Sequence, residues 1–295
     1  MKEMMQRTDL ACESVLSDAE WKSPVKKYKK YGIPIEEMVI GPGEPERQYG
    51  RSAGRYVTLH CGKIWQMDKE ETEHAAKAVA EILIRFLRQA LGKSPDKATG
   101  ILVAGLGNRF ITPDSIGPRT ADLVTVTNHA QSEEHLLALL GCARVSAFSP
   151  GVLGQTGLEA ADLIAEAART ARADILIVVD ALAARSTARL AATVQLSDAG
   201  IRPGSGIGNC RAPITREEIG IPVIALGVPT VVDSATLVWD ALEKAGIESP
   251  PEELHRVLSD GRRFIVSPKE SDVIAESVAE LLSGAVNRAL TPLLL

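Results

Sequence analysis

From residue 100 onward the chain repeats one pattern, a short Val- and Ile-rich run without alternation followed by a stretch of helical periodicity. The apolar runs are "ILVAGLG", "RVSAFSP", "ILIVVDA", "ATVQLSD" and "PVIALGV". The helical stretches are "RTADLVTVTNHA", "GLEAADLIAEAARTA" and "SATLVWDALEKAG". A strand with one wet face alternates apolar and polar residues, whereas a strand covered on both faces does not. The pattern therefore predicts an α/β fold, a three-layer α/β/α sandwich around a mostly parallel sheet. Ahead of it, Asp68 and Glu71 form a capping-box pair and Gly92 supplies a stop, which predicts a helix between them. A last amphipathic helix is expected from about Lys269 to Leu290. Residues 1 to 54 are rich in Lys, Glu, Pro and Gly, with only "IEEMVI" and "RYVTLHC" strand-like. Residues 10–66 are therefore read as a peripheral N-terminal region on a single core of residues 67–295.

Composition narrows the function classes. With 295 residues, 45% of them hydrophobic, the chain is long enough to bury a real core. The formal charge is -5, and no dense basic face exists beyond "KYKKYG" at 27–32, so no direct nucleic acid binding is expected. Cys12, Cys61, Cys142 and Cys210 form no C-x-x-C pair, so neither a zinc site nor a disulfide framework is expected. No apolar run approaches the roughly 20 residues needed to span a bilayer, and no signal-peptide core is present. The expectation is a cytoplasmic protein with no membrane partner.

In open α/β sheets the chemistry collects beyond the carboxyl ends of the strands. Gly105-Leu106-Gly107 begins like a dinucleotide loop, but the third glycine place holds Phe110 and the turn runs on through Thr112-Pro113-Asp114. The plain reading of Asp114 is a helix N-cap. Asp180 ends the very apolar "ILIVVD", where a carboxylate is desolvated unless something needs it. Two such aspartates in one crevice have the chemistry to divide acid and base roles, because like charges push their pKa values apart. Ser186 lacks a nucleophile elbow, His129 and His135 lie on an expected helix and its end, and Cys142 and Cys210 lack a His partner. The loop "GSGIGN", with Gly204, Gly206, Gly208 and Asn209, is expected to shape a cleft and offer N–H groups. Asp198, Asp233 and Glu159 are explained by capping.

The blocks "GRYVTL", "GLGN", "TPDSIGP", "SPGVLGQTGLE", "VVDALAARS", "QLSDAGIRPGSGIGN", "GIPVIALGVPTVVD" and "SPKESDV" run in order along nearly the whole chain. Together they resemble the germination protease of endospore-forming bacteria. That resemblance implies an endopeptidase that begins degrading small acid-soluble spore proteins at germination, in the forespore and spore core. It implies an atypical aspartic peptidase with a fold similar to hydrogenase maturation proteases, Asp114 and Asp180 as catalytic residues, and neither cofactor nor metal. It also implies a homotetrameric zymogen that removes its own propeptide. Substrates of the family are cut after an acidic residue and before a hydrophobic residue followed by Ala. Asp9-Leu10-Ala11 presents that pattern, so residues 1–9 are the expected propeptide and the Asp9–Leu10 bond the expected cut. Gln6 stands where substrates usually carry an acid, which suits slow processing. The segment between "PTVVD" and "SPKE" is more compact than in many members. Two other readings stay open, a metal-dependent maturation-type protease and a non-catalytic adaptor for spore proteins.

Overall fold

The computed structural model describes residues 8–14, 25–43, 46, 49–133, 142–207, 211–247, 251–260 and 264–291. The chain enters with β1 (Lys26–Lys30), β2 (Ile33–Ile40) and β3 (Gly54–His60), followed by α1 (Lys69–Leu91). The α/β part runs β4 (Gly100–Gly105), α2 (Ile116–Leu123), β5 (Arg144–Phe148), α3 (Ala160–Ala171), β6 (Ile175–Ala183), β7 (Thr193–Ser197) and β8 (Val223–Asp233). It closes with α4 (Ser234–Lys244), α5 (Glu252–Asp260), β9 (Ile265–Val266) and α6 (Ser271–Leu290).

The sheet order is β1-β2-β3-β7-β8-β6-β4-β5, with β9 paired to β8. The pairs β4/β5, β4/β6 and β6/β8 are parallel, the unit expected from the alternation of strands and helices. The pairs β7/β8, β3/β7, β2/β3 and β1/β2 are antiparallel. Residues 26–60 are thus three strands of the same sheet.

Successive residues of one strand serve opposite cores. Ile101, Val103, Ile175, Ile177 and Val179 pack with α1 and α6, whereas Leu102, Ala104, Leu176 and Val178 pack with Ala161, Ile164 and Ala168 of α3. Both faces are apolar, which is why the runs do not alternate, and the three layers follow. The helix α1 starts on a complete capping box, with Glu71 N–H donating to Asp68 Oδ1 at 2.8 Å and Asp68 N–H donating to Glu71 Oε2 at 3.0 Å. It stops at Gly92, φ 72°.

Two expectations are corrected. The helix over "RTADLVTVTNHA" begins earlier and ends at Leu123. Beyond it the β-branched run Val124-Thr125-Val126-Thr127 turns extended, and Thr127 N–H donates to Val145 O at 2.9 Å on the edge of β5. Asp180 does not end its strand either, because β6 continues to Ala183 beside β8, with a register irregularity at Leu182/Ala183.

Candidate active site

Asp114 sits in the Thr112–Asp114 turn between β4 and α2, and glycines hold that turn against the sheet. Gly107 has φ +115°, and a Cβ there would lie 2.0 Å from Asp114 O. A Cβ on Gly105 would lie 2.1 Å from Gly117 O, and one on Gly117 2.1 Å from Leu106 O and 2.6 Å from Val179 O. The glycines of "GLGN" and "SIGP" therefore seat the start of α2 on β4 and β6. Thr230 Oγ1 of β8 donates to Pro113 O at 2.7 Å and ties the turn from the other side. Asp114 is no N-cap. That place belongs to Ser115, and the Asp114 carboxylate instead accepts the Asn108 N–H at 2.6 Å. Burial pushes its carboxyl up to about 6, with the Asn108 N–H only partly offsetting the rise.

Asp180 is buried on β6, where its carboxylate accepts the adjacent Ala181 N–H at 2.9 Å. Burial, then the negative charges of Asp114 and of Asp9, raise its carboxyl well above the ordinary carboxylate range. The two aspartates singled out from the sequence are thus electrostatically coupled, and a third, Asp9, joins them.

Asp9 arrives on a segment whose sequence reads as an irregular, exposed terminus, yet Leu10 and Ala11 are fully buried. Asp9 N–H donates to Ala183 O at 2.7 Å. Its carboxylate accepts Ala183 N–H at 2.9 Å and the Ser205 hydroxyl at 2.7 Å. A Cβ on Gly206 would lie 2.2 Å from Asp9 Oδ2, so that glycine is the floor of an acid-holding pocket. Leu10 packs with Leu182, Ala184, Leu190 and Val232. Ala11 packs with Met38, Ile40, Tyr49 and Tyr56. Two residues on, the Glu13 carboxylate accepts the N–H groups of Arg185 at 2.7 Å and Ser186 at 3.0 Å and pairs with Arg189 at 3.2 Å. Arg51 donates to Thr8 O and, at 2.9 Å, to Ser14 Oγ.

The sequence passed over Gln195, Ser205, Arg189 and Arg51. Gln195 alone carried a signal, as an amide inside the apolar strand "ATVQLSD". Of the "GSGIGN" loop, Gly204 takes φ +73° and Gly206 meets Asp9, while Gly208, Asn209 and Cys210 lie outside the described residues, as do His135 and Gln6. Asp233 caps α4 through Ala235 and Thr236 N–H, as expected, and Asp198 accepts Arg55 N–H at 2.7 Å. Among the described residues no group of three or more His, Cys, Asp or Glu side chains is placed to hold a metal ion, and no helix is long and apolar enough to cross a membrane.

A family model described as "Germination protease" matches residues 1–245. The chain belongs to the germination protease family. The germination protease of Caldanaerobacter subterraneus subsp. tengcongensis is 35% identical over 311 residues, covering 97% of this chain and 94% of that protein. That of Priestia megaterium is 34% identical, covering 90% and 85%. A [NiFe] hydrogenase maturation protease, HycI from Thermococcus kodakarensis, aligns with TM-score 0.31 and 17% identity over 62% of this chain and 92% of its own.

For this germination protease family member, truncating Glu13 tests how firmly the segment is docked. Glu13→Ala removes the acceptor of four donors, the Thr8 hydroxyl, the Arg185 and Ser186 N–H groups and the Arg189 guanidinium, and leaves the two backbone N–H groups unpaired, a loss of about 2–3 kcal/mol. Hydrogen exchange at the Asp9 and Ala11 amides is expected to quicken about 30- to 150-fold, read by mass spectrometry of the full chain. Unchanged exchange would mean that Glu13 does not anchor the segment.

Proposed function

We propose that the chain is an endopeptidase of atypical aspartic type, a zymogen that cuts its own Asp9–Leu10 bond and then acts on small acid-soluble spore proteins. The observation that supports this best is the docking of Thr8–Glu13 on β6, where burial and then the charges of Asp114 and Asp9 hold the Asp180 carboxyl above its ordinary range, while burial alone raises that of Asp114. The family resemblance adds the spore core as its setting, a homotetramer as its assembly, and a reaction needing no cofactor.

The two environments divide the roles. Asp180 is the more deeply buried and faces two other carboxylates, so it keeps its proton; Asp114, up to about 6, ionises first. Asp114 takes a proton from water as general base, the hydroxyl oxygen adds to the carbonyl carbon, and Asp180 gives its proton to the Leu10 nitrogen as the C–N bond breaks. The products are a carboxyl-terminal Asp9 and an amino-terminal Leu10.

The rate of self-processing is therefore expected to rise with pH through about 6, as Asp114 loses its proton, and to fall again at higher pH, where Asp180 ionises. Intact-mass spectrometry of the purified chain over pH 4 to 10 checks this, the product lacking residues 1–9, and a flat profile would sink the assignment. Addition of a chelator is expected to leave the rate unchanged. Arrest by the chelator would favour the metal-dependent reading, and a chain that binds spore proteins without cutting them would favour the adaptor.

A further inference from the structure

The side chain of Gln195 grips the segment on both sides of the Asp9–Leu10 bond. Its Nε2 donates to Asp9 O at 3.1 Å, and its Oε1 accepts Ala11 N–H at 2.7 Å. The orientation of the amide is fixed by its partners, because a backbone carbonyl only accepts and a backbone N–H only donates. Asp9 O is the carbonyl oxygen of the bond to Leu10. In hydrolysis that oxygen becomes the oxyanion.

The sheet places Gln195 for the task. On β7 it is in register with Gly227 of β8, and Gly227 is in register with Asp180 of β6, so Gln195 and Asp180 share one face two strands apart. Two strand spacings are roughly 10 Å between Cα atoms. Over Gly227, between the two, lies the Leu182 side chain, which packs with Leu10, the residue after the bond. Gln195 is also buried, at 8% exposure, so its N–H acts where water screens it little.

We infer that Gln195 is a catalytic residue, the oxyanion donor of this protease, held in its donating orientation by the N–H of the second residue after the bond. The inference rests on the reading that Asp9–Leu10 is the bond cut. Thr8–Glu13 then marks the substrate's own path, with Ser205 and Ala183 N–H receiving the acidic side chain before the cut. The same grip serves a substrate protein in trans, because it contacts only backbone atoms on the substrate.

The test measures first-order self-processing of the full chain by intact mass in Gln195→Glu and Gln195→Met. Glu keeps an acceptor for Ala11 N–H but has no donor for Asp9 O, and Met lacks both. Both are expected to slow by about 10²- to 10³-fold, the usual loss for one oxyanion donor. The acid limb of the pH profile should stay near 6, and in Gln195→Glu the Ala11 amide should stay protected from exchange. A Gln195→Glu variant that processes at the wild-type rate overturns the inference. So does a loss of rate matched in full by loss of Ala11 protection, which would make Gln195 a positioning residue. Thermal melts identify a variant that does not fold, and Gln195→Glu carries the test if Gln195→Met fails. The underlying reading fails separately, if Asp180→Asn still processes or the new terminus is not Leu10.

Discussion

Replacing Asp114 with Asn is expected to slow self-processing severely and, at alkaline pH, to make the protein harder to melt. The loss of rate is that of a general base, about 10²- to 10⁴-fold. The gain in stability follows from the same burial. A carboxyl whose folded value is raised from 3.8 to about 6 stabilises the fold fully below 3.8, and that contribution is lost as pH rises through 6. Above 6 the folded chain holds a desolvated charge, at a cost of about 3 kcal/mol at the rate of 1.36 kcal/mol per pKa unit. Asn can still accept the Asn108 N–H but carries no charge, so at pH 8 the variant should gain on the order of 3 kcal/mol, and at pH 3 nothing. Calorimetry at the two pH values separates this from a general stiffening, which would raise the melting temperature at both. Asp180→Asn should behave alike, since its carboxyl is raised for the same first cause. An Asp114→Asn chain that releases residues 1–9 at the wild-type rate would remove this residue from the mechanism.

What was legible in the sequence was local. Asp68, Glu71 and Gly92 fixed both ends of α1 because a helix end is satisfied by residues three or four places away. The two-faced strands were legible because burial on both sides leaves no polar position in the run. The direction of β7 was not, since a five-residue apolar run reads the same whether its neighbour is parallel or antiparallel. Nor was the place of residues 26–60 in the sheet, whose partner β7 lies well over a hundred residues away. The stretch Val124–Thr127 was misread as helix because its periodicity was weighed above its β-branching. Asp114 and Asp180 were singled out because an ionisable group beside an apolar strand is costly wherever it occurs. Gln195 was passed over because its meaning lies in Asp9 and Ala11, and nothing in "ATVQLSD" names them. The same holds for Thr8–Glu13, polar and aperiodic in sequence, whose carboxylates and backbone groups are matched one by one from β6, β7 and the Ser205 loop.

Gly107→Ala is expected to damage both stability and catalysis, and a second glycine shows why the two go together. Gly92 also has positive φ, 72°, but a Cβ there meets nothing within 4 Å. Gly92→Ala should cost about 1 kcal/mol for the left-handed backbone and leave the processing rate unchanged. At Gly107 the φ of +115° lies outside even the left-handed helical well, and the new Cβ would fall 2.0 Å from Asp114 O and 3.0 Å from its Oδ1. One of the two must move. If the turn yields, Asp114 leaves its contact with Asn108 N–H, and a displacement of an ångström at a reacting group is worth about 10²-fold in rate. If the backbone of Gly107 yields instead, the strain falls on the junction where Leu106 N–H donates to Val179 O at 2.8 Å, one residue before Asp180. Either way the two aspartates are moved relative to one another. The expected result is a loss of 3 kcal/mol or more, on the order of a Cβ overlap added to a strained backbone, with processing slowed at least about 100-fold. Equal behaviour of the two alanine variants, in melts and in processing rate, would show that Gly107 serves only a turn. A selective loss at Gly107 would show that this glycine makes room for the main chain of a catalytic aspartate, where a nucleotide loop would make room for a phosphate.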